Sequence, residues 1–131
     1  MSTPYILVVD DNPANLKLVA YLLKLGGYDV GGATDARETK RMIAARRPDL
    51  LLLDLQLPDA DGLELARQLK SDPATEDIVV VAVTARAMKG DRNRALAAGC
   101  DGYVSKPIDT NTFLDVVGEF LDCVSPRQEM R

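Results

Sequence analysis

The sequence predicts an α/β fold, a doubly wound parallel sheet of five strands with five flanking helices. Three observations carry this expectation. Short β-type runs alternate with helix-period segments five times, and such alternation builds a parallel sheet through right-handed crossovers. The runs at residues 5–9 and 50–53 are apolar without interruption, as strands buried on both faces must be. The 131 residues suffice for one domain with its own core, and no repeat, low-complexity segment or linker divides them.

Strands are expected at residues 5–9, 28–32, 50–53, 78–83 and 102–105. The first helix follows Asn12, a capping residue, with Pro13 at its first position; it sets Leu16, Val19, Ala20 and Leu23 on one face and ends at Gly26 and Gly27. The second opens with Asp35 and Glu38 in capping-box spacing and runs to Arg47, before Pro48. The third starts near Asp61 and aligns Gly62, Leu65, Ala66 and Leu69. The fourth, over roughly 87–98, has Met88 as its bulky apolar residue and is interrupted or closed by Gly90 and Gly99, so its docking to the sheet is expected to be weak. The fifth begins near Asp109 and aligns Phe113, Val116, Val117 and Phe120. The domain is expected to span residues 1–124, leaving 125–131, polar and containing Pro126, as a loosely ordered tail.

A net charge of −4 argues against a general nucleic-acid or membrane-surface binder, because phosphate backbones and anionic lipids reward excess Lys and Arg. Proteins are the expected partners. No apolar run reaches the roughly 20 residues of a spanning helix. Cys100 and Cys123 have no metal-ligand spacing and, without a signal peptide, read as reduced residues of a cytoplasmic protein. The chain contains no histidine, so it offers neither a His nucleophile nor a His phosphoryl carrier of its own.

The chemistry gathers at the strand ends. Asp10 and Asp11 follow the first strand, Asp54 the third, Thr84 the fourth, and Ser105, Lys106 and Pro107 the fifth. All leave the sheet at its carboxyl edge, where open α/β sheets bind ligands. Each alone has a plain reading: a helix cap for Asp10 and Asp11, a turn carboxylate for Asp54, a backbone-bonded hydroxyl for Thr84, a solvated loop amine for Lys106. Together they do not. Two unit charges about 4 Å apart at an effective dielectric near 20 interact by about 4 kcal/mol, so three clustered carboxylates must protonate, separate or hold a cation. An oxygen-only site with few protein ligands suits Mg²⁺. With Lys106 and Thr84 as donors, the rim has the parts for phosphoryl transfer onto a carboxylate.

The set Asp10-Asp11, Asp54, Thr84-Ala85 and Lys106-Pro107, at these intervals on these elements, resembles the receiver domain of two-component response regulators over residues 5 to about 122. The segments Ala82-Val83-Thr84-Ala85 to Met88-Lys89-Gly90-Asp91, Gly99-Cys100 and Tyr103-Val104-Ser105-Lys106-Pro107 are similar in particular to DivK-type single-domain regulators. The resemblance implies a flavodoxin-like strand order 2-1-3-4-5. It implies Asp54 as phosphoacceptor and Asp10, Asp11, Asp54 and the backbone carbonyl of Gln56 as Mg²⁺ ligands. Thr84 and Lys106 would contact phosphoryl oxygens, Thr84 and Tyr103 would form the switch, and Gln56 and Arg86 would set the lifetime of the phosphorylated state. The Lys106–Pro107 bond would be cis. Partners would be a histidine kinase or histidine phosphotransfer protein and a downstream protein target, with the chain itself a monomer or weak dimer.

Rival readings meet specific residues. A flavin carrier of this architecture needs a hydroxyl- and glycine-rich loop after the first strand, where Asp10 and Asp11 would repel the cofactor phosphate. An aspartyl-nucleophile phosphatase needs a second carboxylate two positions beyond Asp54, and that residue is Gln56. A receiver fold used only for unphosphorylated docking has no need of the whole set. Two outputs remain open: phosphorylation-dependent protein binding, or a relay intermediate that passes the phosphoryl group on.

Overall fold

The computed structural model describes residues 3–84, 91–106 and 108–129. Ten elements alternate along the chain: β1 (Tyr5–Val9), α1 (Pro13–Leu25), β2 (Asp29–Ala33), α2 (Ala36–Ala45), β3 (Leu50–Asp54), α3 (Gly62–Ser71), β4 (Val79–Thr84), α4 (Asp91–Ala97), β5 (Gly102–Ser105) and α5 (Phe113–Glu129). The strands form one parallel sheet in the order β2-β1-β3-β4-β5. The predicted α/β class and strand order are both observed.

Alternation of side chains divides the core into two layers. Leu7 and Val9 of β1, Leu51 and Leu53 of β3, and Val80 and Ala82 of β4 pack with Ile43 of α2, Leu65 and Leu69 of α3, and Ala95 of α4. Ile6, Val8, Leu50, Leu52, Val79, Val81 and Val83 pack on the other side with Val19 and Leu23 of α1 and Phe113 and Val117 of α5. Every residue of β1, β3 and β4 is buried, whereas β2 and β5 are partly exposed, which is what central and edge positions require. Each fully buried leucine or isoleucine contributes roughly 1.5–3 kcal/mol.

Local chemistry ends the helices where the glycines stand. The Asn12 side chain accepts from the Ala14 and Asn15 amides, with Pro13 opening α1. At the other end Tyr28 N–H donates to Leu23 O and Gly27 N–H to Lys24 O, a pattern that needs the positive φ of +90° at Gly27. The same pair of bonds closes α4: Cys100 N–H to Ala95 O and Gly99 N–H to Leu96 O, with Gly99 at φ +100°.

Several boundaries differ from those expected. β2 and β4 lie one residue further along, and β3 includes Asp54 itself. α2 stops at Ala45, where Arg46 turns extended. Asp35 caps it by accepting from Glu38 N–H, but the Glu38 carboxylate reaches the Thr34 amide rather than completing the reciprocal bond to Asp35. α5 begins at Phe113 because Asp109 O accepts from both the Thr112 and Phe113 amides in a preceding turn. Its backbone stays helical to Glu129, so the segment expected as a loose tail from Ser125 is helical over most of its length. Arg127, Gln128 and Glu129 are strong helix formers, and extending an existing helix needs no new nucleus. The core contacts of this segment come from Ala95 of α4 and Ala98 just beyond it; Leu96, an apolar residue the expectation of a weak face left out, is 45% exposed. Met88 and Gly90 lie outside the described residues.

Candidate functional site

The strand register builds the rim. Val9 pairs with Leu53, so Asp10 and Asp54 follow as neighbours one step beyond; Asp54 pairs with Val83, and Thr84 with Ser105. Asp10 and Asp54 are each only 4% exposed and Thr84 2%, whereas Asp11 faces solvent. Carboxylate oxygens of Asp10, Asp11 and Asp54 all lie within 4.8 Å of one another.

Lys106 reaches into this cluster from the end of β5. Its Nζ donates to Asp10 Oδ2 at 2.9 Å and to Asp54 Oδ2 at 3.3 Å, while its backbone N–H donates to Thr84 O at 2.8 Å. The other oxygens are held by the local backbone: Asn12 N–H donates to Asp10 Oδ1 at 2.9 Å, and Gln56 N–H to Asp54 Oδ1 at 3.0 Å. Burial pushes the Asp54 carboxyl above its usual pKa, an effect that the Gln56 amide and the Lys106 charge oppose and the Asp10 charge reinforces. At Lys106 burial works against the ammonium, but the bond to Asp10 and the charges of Asp54 and Asp10 outweigh it, so the pKa is raised. Three carboxylates against one ammonium leave two negative charges over, carried by hard oxygen donors. That donor set fits a divalent cation such as Mg²⁺.

The structure brings Asp10, Asp11, Asp54, Thr84 and Lys106 to one edge, as the strand ends predict. Gln56 lies beside Asp54 in the β3–α3 loop, where it bridges to Asp61. Tyr103 of β5 pairs with Ala82 and packs, half-buried, against the α2–α3–α4 layer. Arg86, Ala85 and Pro107, and with Pro107 the expected cis bond, lie outside the described residues. Cys100 is free and buried, its thiol pushed up to about 11, so it is unreactive packing; the side chain of Cys123 is not among those described.

The sequence reading passed over Asp59 and took Gly62 only as a helix-face position. Asp59, five positions after Asp54, accepts from the Ala36 and Arg37 amides at 2.9 and 3.1 Å and so ties the β3–α3 loop to the first turn of α2. No local spacing signals a bond across 23 residues. Gly62 opens α3 so close to the loop backbone that a Cβ there would stand 2.6 Å from Leu55 Cα and 2.7 Å from Asp54 O. A glycine directly after the capping Asp61 was the available signal.

An open parallel sheet with this rim defines the receiver class of two-component signalling domains. Residues 6–118 match the response regulator receiver domain family, and the chain belongs to that family. The polar-differentiation response regulator DivK of Brucella anthropi is 40% identical over 116 residues, which are 88% of this chain and 94% of DivK. A CheY-like response regulator receiver domain protein from Methanospirillum hungatei has the same fold with a TM-score of 0.88 at 31% identity, over 96% of this chain and 99% of its own. The receiver domain of a sensor histidine kinase from Pseudomonas aeruginosa, with a magnesium ion coordinated in its active-site cleft, matches with a TM-score of 0.83 at 29% identity, over 92% of this chain and 99% of its own. No helix among the described residues is long and apolar enough to cross a membrane.

Proposed function

We propose that Asp54 accepts a phosphoryl group from a histidine kinase or histidine phosphotransfer protein and that the modified domain signals by binding a downstream protein. The observation that carries this reading is the setting of Asp54: a buried carboxylate, raised in basicity by burial, beside an acidic pair and under a lysine. A carboxylate oxygen attacks phosphorus, the phosphorus–oxygen bond forms, and the bond to the donor nitrogen breaks with its electron pair leaving on the imidazole. Asp10, Asp11, Asp54 and the Gln56 carbonyl would hold Mg²⁺. When bound, it would offset the acidic charge and polarise a phosphoryl oxygen. Lys106 and Thr84 would donate to the other oxygens, and Gln56 and Arg86 would govern how long the acyl phosphate lasts. The domain turns over no separate substrate, so it acts as a self-modifying switch and not as an enzyme, at work in the cytoplasm.

A switch through Thr84 and Tyr103 is supported by their places on adjoining strands and by the weak apolar face of α4, where Ala95 is the buried residue among those described. The beryllofluoride complex tests it. Amide shifts concentrated in residues 84–92 and 102–110 are expected, together with a partner retained only by the treated protein. Shifts confined to the loop around Asp54 would favour the second reading, a relay intermediate whose product is the phosphoryl group itself.

A further inference from the structure

The densest cationic stretch of this acidic chain lies away from the rim. Residues 37–47 contain five of its sixteen Lys and Arg (Arg37, Lys40, Arg41, Arg46 and Arg47) and one carboxylate, Glu38. Helix stability does not explain Arg37, which stands in the first turn of α2, where the macrodipole disfavours a cation. Three of the five are engaged: Arg41 with Glu38 at 3.5 Å, Arg46 with Asp29 at 3.0 Å while stacking 4.0 Å over the Tyr5 ring, and Arg37 beside Asp59. Lys40 and Arg47 take part in no ion pair among the described residues; Arg47 donates only to Ala74 O at 3.4 Å.

These two cations border a groove of about 480 Å³ between α2 and α3. Ile43, Leu65 and Leu69, all nearly buried, form its floor, and Lys40 on α2 and Arg47 just past the end of that helix stand at its edge. Asp72, the one acidic lining residue among those described, is held in its own turn by the Ala74 amide at 2.9 Å. We propose that this groove docks an acidic protein segment whose carboxylates meet Lys40 and Arg47 on either side of an apolar anchor. Charge complementarity selects the occupant. A nucleic-acid backbone or an anionic membrane would meet two unpaired cations on a chain of net charge −4, whereas a short acidic segment needs no wider basic field and can use the apolar lining. The proposal does not rest on Asp54 chemistry, and its test uses the unphosphorylated protein.

Random peptides of about twelve residues, long enough to span the groove, are displayed on phage, selected on the wild-type chain and counter-selected on Lys40→Glu/Arg47→Glu. Selected peptides should carry at least a pair of Asp or Glu around an aliphatic or aromatic residue. A synthesised winner should shift amides of residues 40–47 and 65–75 and lose about tenfold or more in affinity with the double variant, and less with Lys40→Gln/Arg47→Gln. Thermal melting and acetyl-phosphate labelling of both variants should match wild type, which separates a lost surface from a lost fold. Failure to recover any peptide that depends on these two cations, recovery of peptides without acids, or amide shifts elsewhere would each overturn the proposal. Saturable binding of duplex DNA or phosphatidylserine vesicles at residues 40–47 would also overturn it, in favour of a general polyanion surface.

Discussion

The Lys106 ammonium lies 3.3 Å from Asp54 Oδ2 and is shared with Asp10 Oδ2 at 2.9 Å, so one cation from the end of β5 ties together the ends of β1 and β3. It holds the buried carboxylates against their mutual repulsion. It also stands where negative charge would gather on a phosphoryl group at Asp54.

Lys106→Ala removes both roles. The Asp54 carboxyl should titrate higher still, and the domain should lose about 1–3 kcal/mol for a buried, charge-assisted contact. Labelling by acetyl phosphate should fall roughly 100-fold, the usual effect of deleting one electrostatic donor. Carboxyl NMR, urea melts and label uptake measure the three; wild-type labelling in the variant would remove Lys106 from the chemistry.

Gly62→Ala tests whether the loop behind Asp54 must sit where it does. The added methyl meets backbone atoms, Leu55 Cα and Asp54 O, which cannot rotate aside. Stability should drop by about 1–3 kcal/mol as for other overpacked sites, and labelling should slow although no polar group has changed. An unaltered melt with unaltered labelling contradicts this.

Asp59 supplies a pH dependence. The Ala36 amide first, and the Arg37 amide with it, hold its carboxyl below the usual range. A group whose folded pKa is depressed stabilises the fold above its unfolded pKa and loses that contribution as pH falls through the folded value. Asp59→Ala should therefore melt earlier than wild type at neutral pH, with the gap closing below about pH 4. A gap that stays constant into acid would mean that the amide bonds carry no charge-dependent part.

Asp11→Ala should stabilise the metal-free domain slightly, by less than about 1 kcal/mol because Asp11 is exposed, through relief of repulsion with Asp10 and Asp54. It should also abolish most of the rise in melting temperature that Mg²⁺ gives the wild type. Equal Mg²⁺ stabilisation of both proteins would place the ion elsewhere.

Much of this architecture was legible because burial on two faces leaves so plain a mark. Four consecutive leucines ending in Asp54 admit little but a central strand, and alternation then carries Asp10, Thr84 and Lys106 to the same edge. Edge strands and helix ends were less readable, since β2 and the start of α5 are placed by bonds such as Asp29 N–H to Pro4 O and Phe113 N–H to Asp109 O. The hold of Asp59 on α2 was illegible, being a contact between segments far apart in sequence. Leu96 was passed over in α4; the structure places it outward, on the face away from the sheet that Ala95 and Ala98 leave free.

The most direct measurement is the site and chemistry of labelling by acetyl phosphate with Mg²⁺, followed by intact mass and peptide mapping. The account predicts one phosphoryl group per chain, on the peptide containing Asp54, released by hydroxylamine, absent in Asp54→Asn and abolished by EDTA. An acid-stable label, or a label that Asp54→Asn takes up at the wild-type level, would contradict it.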